Sequence, residues 1–192
     1  VTNTSVEINN SASVAGTAIA AWDNGDLAVA WTRPIYSGTT QHVLALSIYD
    51  GSSWTTQDLD TASKTGYRPS IAIDNQGALH IAYIDRDNTN LRYATNASGT
   101  WVLSTLDNSA VNPVNDWART GIAVDNKGHV HIIHTVQGSG VWVLNYTTDV
   151  SGSFVSTTIT DTTKDDGKYA SLAIAGNGSL HISVYRDSGG SD

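Results

Sequence analysis

Short runs of β-branched and aromatic residues, broken by Gly, Asn and Asp, follow one another along the whole chain. Such runs predict strands, and no segment has the pattern of a helix. In the clearest stretch, strands A, B, C and D are predicted at 70–73, 79–84, 90–95 and 101–106. The linking sequence Asp74-Asn75-Gln76-Gly77 is typical of a hairpin turn, because Asn and Gly tolerate the positive φ that a tight reversal requires.

This pattern repeats about every 50 residues. Residues 71–81 read IAIDNQGALHI, closely similar sequences follow at 122–132 and 172–182, and a more divergent copy lies at 19–27. The glycines that mark the A-to-B turns are separated by 52, 51 and 50 residues, and they are Gly25, Gly77, Gly128 and Gly178. Four strands in a repeat of this length are the signature of a propeller blade. We therefore predict an all-β fold, a β-propeller of four-stranded antiparallel blades.

The repeat boundaries predict one domain, 1–192, with three near-complete blades and a fourth divided between the two ends of the chain. The blade units are 15–66, 67–117, 118–167 and 168–192, with a closing strand at 1–10. The last unit contains strands A and B only, and residues 1–7 align with a strand D, so that no segment supplies its strand C. We expect either a four-bladed ring with an imperfect closing blade or part of a larger ring. Because an unpaired blade edge invites strand addition, self-association is also predicted.

Composition and charge narrow the classes of partner. The chain has 18 acidic and 10 basic residues, a net charge of −8 that opposes nucleic acid and anionic membrane surfaces. It has no cysteine, and no apolar run approaches the roughly 20 residues that a transmembrane helix needs. Residues 1–10 lack the features of a signal peptide. The abundance of Thr, Ser, Asn and Gly favours a processed protein that is secreted or on the cell surface, and we expect no cofactor.

One C-to-D turn adds a family resemblance. The sequence Thr147-x-Asp149-x-Ser151-x-Ser153-Phe154 resembles the Asp-box, Ser-x-Asp-x-Gly-x-Thr-Trp, of BNR or sialidase-like propellers. Weaker copies lie at 47–54 and 94–101, so the resemblance covers most of the chain as degenerate repeats. In that family the Asp-box is a structural turn remote from the active site. The resemblance therefore implies the fold and carries no expectation of catalysis.

Histidines suggest a metal site at first sight, at His129, His131 and His134. Period-two alternation places His134 on the opposite face of its strand from the other two, so the three do not converge. In addition, His131 occupies the repeat position of His80 and His181. A residue repeated from blade to blade is best explained as a hydrogen-bonded packing element, and no metal is expected.

Aromatic residues divide into matched and unmatched positions. Trp54, Trp101 and Phe154 recur at the start of strand D, where a large ring fills space between blades. The tryptophans without an aromatic counterpart in the other repeats are Trp22, Trp117 and Trp142. Because the repeat does not explain them, they are candidates for ligand contact.

The alternation of strand direction decides which candidates share a face, since the D-to-A and B-to-C connections lie at the same end of every blade. The candidate ligand-binding residues at this end are Arg68, Asp85, Arg86, Asp87, Trp117, Arg119, Trp142 and Arg186. Trp22 lies at the other end. Aromatic planes beside Arg and Asp suit a sugar, whose CH surfaces stack on rings and whose hydroxyls exchange hydrogen bonds with charged groups. The alternative is that these are solvated loop charges.

Catalysis is less well supported than binding. Tyr67-Arg68-Pro69 is similar to the Phe/Tyr-Arg-Ile-Pro motif of sialidases, whose Arg binds the substrate carboxylate, but it lacks the Ile. The Glu that activates the sialidase nucleophile has one candidate here, Glu7, on the predicted closing strand. We assign no catalytic residue. The first hypothesis is a non-catalytic, glycan-binding protein outside the cell; the alternatives are a polysaccharide-active hydrolase or lyase, and a structural subunit of a surface assembly.

Overall fold

A computed structural model describes residues 16–36, 40–62, 64–108, 118–137 and 140–187. Over these residues the chain forms strands joined by turns and contains no helix. The fourteen strands are β1 (Thr17–Ala21), β2 (Leu27–Tyr36), β3 (Thr40–Tyr49), β4 (Trp54–Asp60), β5 (Tyr67–Ile73), β6 (Leu79–Asp85), β7 (Asn90–Thr95), β8 (Val102–Asp107), β9 (Thr120–Val124), β10 (Val130–Gln137), β11 (Trp142–Thr148), β12 (Val155–Thr158), β13 (Asp165–Ile174) and β14 (Leu180–Asp187).

The strands form consecutive antiparallel meanders. β1–β4, β5–β8 and β9–β12 are four-stranded sheets, and β13 pairs with β14. The first strand of each sheet contacts the first strand of the next, so that β1, β5, β9 and β13 lie side by side at the centre. The predicted all-β propeller of four-stranded antiparallel blades is thus confirmed. The fourth blade is represented by two strands in the described residues, and the predicted closing strand at 1–10 lies outside them.

Apolar side chains fill the space between successive blades. Leu44 and Leu46 of the first blade pack against Leu79, Ile81 and Tyr83 of the second. Similar clusters join the second blade to the third and the third to the fourth. Each buried Leu or Ile contributes about 1.5–3 kcal/mol. The core is therefore divided into layers that the blades share, and no cluster of the described residues joins the first blade to the fourth.

At two of these junctions, a buried carboxylate at the end of strand D forms a polar contact with the next blade. Asp60 of the first blade accepts a hydrogen bond from the Tyr83 hydroxyl of the second, at 2.7 Å. In the same way, Asp107 of the second blade accepts one from Asn145 Nδ2 of the third, at 3.1 Å, and lies 3.0 Å from His134 Nε2. Burial, and then the charge of Asp60, raise the pKa of Tyr83. The neutral phenol remains a donor, and so each junction combines an apolar layer with a directional polar contact.

Two of the three repeated histidines, His80 and His131, are packing elements, as predicted. His80 Nδ1 is 2.5 Å from the Tyr93 hydroxyl, and His131 Nδ1 is 2.5 Å from the Tyr146 hydroxyl, with both tyrosines on strand C of the same blade. His181 is exposed and has no tyrosine contact among the described residues. The two pairs show that a complete blade uses strand C to bury its histidine.

The aromatic residues before strand D behave differently in the first blade. Trp101 packs into the apolar layer between blades one and two, and Phe154 packs against Tyr93 of the preceding blade, with tilted rings at 5.3 Å between centroids. Trp54 packs with Val29 and Trp31 on the face of the first blade that points away from the second. The predicted role between blades is confirmed for Trp101 and Phe154, and Trp54 lacks a preceding blade to contact in the described residues.

The C-to-D turns are tied to strand B of their own blades. Asp149 Oδ1 accepts a hydrogen bond from Val130 N at 2.8 Å, and Asn96 Oδ1 accepts one from Leu79 N at 2.7 Å. Gly152 N donates to Asp149 O at 2.7 Å and closes the turn. Asp149 and its equivalent Asn96 thus fix the same turn in two blades by the same contact.

Candidate functional site: an axial cleft

The starts of three central strands surround a cleft at the centre of the molecule. Its volume is about 230 Å³, and it is lined by Gly16, Thr17, Arg68, Pro69, Arg119 and Thr120. We call this the axial cleft. Two of the predicted ligand-binding residues, Arg68 and Arg119, are therefore brought together, one from the second blade and one from the third.

An unusual backbone conformation directs the second blade into the cleft. Arg68 has a φ of 50°, in the left-handed region that non-glycine residues rarely adopt. Tyr169, at the same repeat position in the fourth blade, also has a φ of 50°. Such strain persists only where the surrounding structure imposes it, and it concentrates at functional sites. The same backbone distortion thus occurs at Arg68, which lines the cleft, and at Tyr169, whose ring lies near the cleft residue Arg119.

Close packing behind these residues explains why the chain turns there. A Cβ on Gly66 would lie 2.6 Å from the Leu44 backbone, and one on Gly167 would lie 2.3 Å from the Val143 backbone. The carbonyl of Gly66 accepts a hydrogen bond from Thr32 Oγ1 at 2.6 Å, and that of Gly167 accepts one from Thr135 Oγ1 at 2.9 Å. Strands of one blade therefore contact the backbone of the next blade at Gly66 and Gly167, two residues before Arg68 and Tyr169.

Arg119 joins the cleft to the fourth blade. Its guanidinium carbon lies 5.7 Å from the centroid of the Tyr169 ring, and Nη1 donates to Ala118 O at 2.9 Å. Tyr169 is 52% exposed and meets Tyr185 edge to face at 6.0 Å between centroids. Guanidinium and ring attract each other electrostatically. The result is an exposed aromatic surface with a cation held against it, beside the cleft.

Arg86 supports the wall of the second blade. Its guanidinium carbon is 5.4 Å from the Tyr67 ring centroid, and Nη1 donates to the Tyr67 hydroxyl at 3.2 Å. That hydroxyl lies 2.9 Å from Nδ1 of His42. Burial, then the positive charges of Arg86 and Lys64, lower the pKa of His42. A neutral His42 accepts a hydrogen bond from the Tyr67 hydroxyl at Nδ1, so that hydrogen bonds run from Arg86 through Tyr67 to His42.

The other predicted charged residues are engaged in turns and ion pairs. Asp85 is 2% exposed and accepts hydrogen bonds from Asp87 N and Asn88 N, both at 3.1 Å, so it caps the B-to-C turn. Lys64 Nζ lies 2.7 Å from Asp87 Oδ1. Arg186 makes a bidentate contact with Asp166, at 2.7 and 2.9 Å. None of Asp85, Asp87 and Arg186 lines the axial cleft.

Trp142, one of the two tryptophans predicted at this end of the blades, contributes no exposed stacking surface. Trp142 is 5% exposed, so the protein covers the ring face that a sugar would need. Trp117 lies outside the described residues. Sequence reasoning missed Tyr169, which has the aromatic surface that these tryptophans were expected to supply. The signal was available, because Tyr169 stands at the repeat position of Arg68 and Arg119.

In the ranges that the structure describes, no group of three or more His, Cys, Asp or Glu residues is arranged to hold a metal ion. No helix that could cross a membrane was found in those same ranges.

The chain resembles solved structures that are distant in sequence. A xylan β-1,4-xylosidase from Bacillus halodurans C-125 superposes with a TM-score of 0.56, at 11% identity, over 92% of this chain and 38% of the enzyme. A mutant of the GH43 protein BlXynB from Bacillus licheniformis gives 0.52, at 14% identity, over 91% and 37%. A fucose lectin from Kordia zhangzhouensis, in complex with methyl-fucoside, gives 0.50, at 12% identity, over 76% and 100%.

These similarities concern the fold. The chain spans less than two fifths of each of the two Bacillus proteins and matches the lectin over the lectin's full length. No protein-family model matches the chain, and no curated protein matches it in sequence.

Proposed function

We propose that this chain is a carbohydrate-binding propeller whose axial cleft holds a sugar between Arg68, Arg119 and Tyr169. The observation that carries the proposal is the arrangement at the centre, where two arginines from neighbouring blades meet beside a half-exposed tyrosine ring. Sugars are bound by both kinds of group, charged hydrogen-bond donors and an aromatic ring. Guanidinium groups donate to ring and hydroxyl oxygens in fixed directions, and an aromatic surface covers the CH groups of a pyranose.

The local charge supports this assignment. The protein as a whole has a net charge of −8, yet the cleft is lined by Arg68 and Arg119 together with the hydroxyls of Thr17 and Thr120. Thr120 Oγ1 donates to Arg68 O at 2.5 Å and thereby connects two residues of the cleft lining, one from the third blade and one from the second. A site assembled from strands rather than from loop tips keeps its geometry before the ligand arrives, which reduces the ordering cost of binding.

The structural comparisons add support of a general kind. The fucose lectin in complex with methyl-fucoside and the xylosidase share the fold and are both named for sugars. From these similarities we infer only that this chain binds a carbohydrate, and we infer nothing about which sugar it is. Secretion or display at the cell surface, and membership of the Asp-box propellers, are parts of the same proposal. The hydrogen bond from Val130 N to Asp149 Oδ1 supports a structural role for that turn.

A glycan array followed by calorimetry with the best ligand tests the proposal. Arg119→Met and Tyr169→Ala should each weaken binding about ten-fold, because each removes a hydrogen bond to a charged group or a stacking surface. Arg33→Met is the matched control, since Arg33 makes a bidentate contact with Asp58 away from the cleft lining. Its affinity should equal that of the unmodified protein.

Three results would overturn the proposal: an array without a reproducible hit, affinity unchanged by both cleft variants, or an equal loss in the control. The same preparation should be incubated with xylan and other polysaccharides and assayed for new reducing ends and unsaturated products. Release of either, abolished by the cleft variants, would replace the binding function with the hydrolase or lyase alternative.

A further inference from the structure

A second cleft lies at the opposite end of the central strands, between the A-to-B turns of the first and second blades. It has a volume of about 540 Å³, and its lining includes Trp22, Asp23, Asn24, Asn75 and Gln76. We call it the turn cleft. Arg68 and Asp74 are six positions apart along the chain, so the two clefts are about 20 Å apart at the rise of an extended strand.

Trp22 occupies this cleft because the first turn departs from the repeat. Its position is taken by Asp74 and Asp125 in the next two blades. Each of those aspartates accepts hydrogen bonds from two backbone N–H groups of its own turn, between 2.8 and 2.9 Å. In the first blade, Asn24 Oδ1 accepts from Asp26 N at 3.0 Å and fixes the turn from another position. Trp22 is therefore released from the role that its equivalents perform.

The indole instead reaches the neighbouring blade. Trp22 Nε1 donates to Gly77 O at 2.9 Å, which holds the half-buried ring across the gap between the two turns. One edge of the ring packs with the apolar layer between the blades, and the residue also lines the cleft. The hydrogen bond orients the ring before any ligand binds, and a preordered aromatic wall loses little entropy on binding.

The remaining lining is suited to hydroxyl groups. Asp23 and Gln76 are exposed, and they add a carboxylate acceptor and an amide that both donates and accepts. Asn75 Nδ2 donates to Asn126 O of the third blade at 3.3 Å, which positions a second amide at the rim. The volume lies in the range of small-molecule sites, about 300–1,000 Å³. An aromatic wall with amides and carboxylates is the chemistry that recognises neutral sugars.

Charge distinguishes the turn cleft from the axial cleft. The axial cleft is lined by two arginines, whereas the turn cleft is lined by Asp23 and Asp74. An anionic ligand would be repelled here, and the hydroxyls of a neutral sugar would donate to the carboxylates.

We propose that the turn cleft is a second, independent sugar site, which binds neutral mono- or disaccharide units against Trp22. It goes beyond the function assigned to the axial cleft and does not depend on it. With sites at opposite ends of the blades, one molecule bridges two glycan chains, which raises avidity for a glycan-coated surface.

The indole N–H of Trp22 provides a direct readout. In a ¹⁵N spectrum of the full chain, its signal is identified by its absence from the Trp22→Phe variant. Titration with cellobiose, xylobiose or methyl α-L-fucoside in the millimolar range should shift that signal in a saturable way. Glucuronic acid at the same concentration should leave it unchanged.

Matched turn variants separate binding from general perturbation. Gln76→Ala should weaken the titration about five-fold, the effect of one lost hydrogen bond. Lys127→Ala changes the equivalent position of the next turn, which does not line the turn cleft, and should leave the affinity unchanged. Arg119→Met should also leave the Trp22 titration unchanged, even though it weakens binding at the axial cleft.

The proposal is overturned if none of the three neutral sugars shifts the Trp22 signal. It is equally overturned if Lys127→Ala weakens the titration as much as Gln76→Ala. A shift that disappears in Arg119→Met would assign the effect to the axial cleft and reject a second site.

Discussion

Replacing Gly66 by Ala tests how the first two blades are joined and how the axial cleft is shaped. Gly66 has a φ of +77°, and a Cβ there would lie 2.6 Å from both the Cα and the N of Leu44, a fully buried residue of β3. Ordinary contacts begin at 3.4 Å. The backbones of the two blades must therefore separate by about 0.8 Å, at a point where apolar side chains are closely packed.

The expected cost has two components. An Ala in the left-handed region loses about 1–2 kcal/mol, and forcing extra volume into a packed junction costs about 1–3 kcal/mol more. The sum is about 2–5 kcal/mol. Gly128→Ala supplies the matched control, because Gly128 has a φ of +88° and no atom within 4 Å of a Cβ. That variant should show only the first component.

The assay is urea unfolding followed by circular dichroism, with both variants and the unmodified protein measured under the same conditions. The free energy of unfolding of Gly66→Ala should fall below that of Gly128→Ala by about 1–3 kcal/mol. Sugar binding at the axial cleft should weaken in Gly66→Ala, because Gly66 is two residues from Arg68. Equal destabilisation by the two variants would refute the close junction described here.

Three further predictions concern the junctions, the turns and the open blade. Tyr83→Phe removes the donor to Asp60 and should cost about 1–3 kcal/mol of unfolding free energy in urea titrations; no loss would show that the contact is not stabilising. Burial would raise the pKa of Asp125, but hydrogen bonds from His129 and Lys127 outweigh it and lower the pKa to about 2. The contribution of Asp125 to stability is therefore complete above about pH 4 and is lost as the pH falls towards 2. Asp125→Asn should remove this loss from a plot of unfolding free energy against pH. An unchanged plot would show that Asp125 is not responsible for it. Self-association through β14 stays a prediction, and light scattering should give a mass above that of the 20.3 kDa monomer. Tyr185→Lys on β14 should reduce this mass, whereas the control Val102→Lys on β8 should not. A monomeric mass for the unmodified protein and both variants would reject self-association.

The sequence predicted the architecture because each blade repeats its own turn chemistry. The glycine spacing located the A-to-B turns, and the second-blade strands predicted at 79–84 and 90–95 appear at 79–85 and 90–95. The predicted start of strand A at Ser70 was three residues late. Tyr67 already pairs with Ile84, and a bulge separates it from Ser70. The positive φ of Arg68 that accompanies this bulge is imposed by neighbouring blades, and no local sequence signal reports it.

The site was predictable only where the repeat carried the information. Arg68 and Arg119 share a repeat position, so their common face followed from strand direction alone. The burial of Trp142 and the capping role of Asp85 depend on how loops pack, which residue type does not determine. Tyr169 was missed because the search compared charges and unmatched tryptophans, and not every residue at the repeat position of the two arginines.

A crystal structure of the protein with the best ligand from the glycan array tests the central claim most directly. We predict a sugar in the axial cleft, with ring or hydroxyl oxygens within hydrogen-bonding distance of Arg68 and Arg119 and its CH face against Tyr169. A sugar bound elsewhere on the blades, with the axial cleft holding only water, would contradict the account.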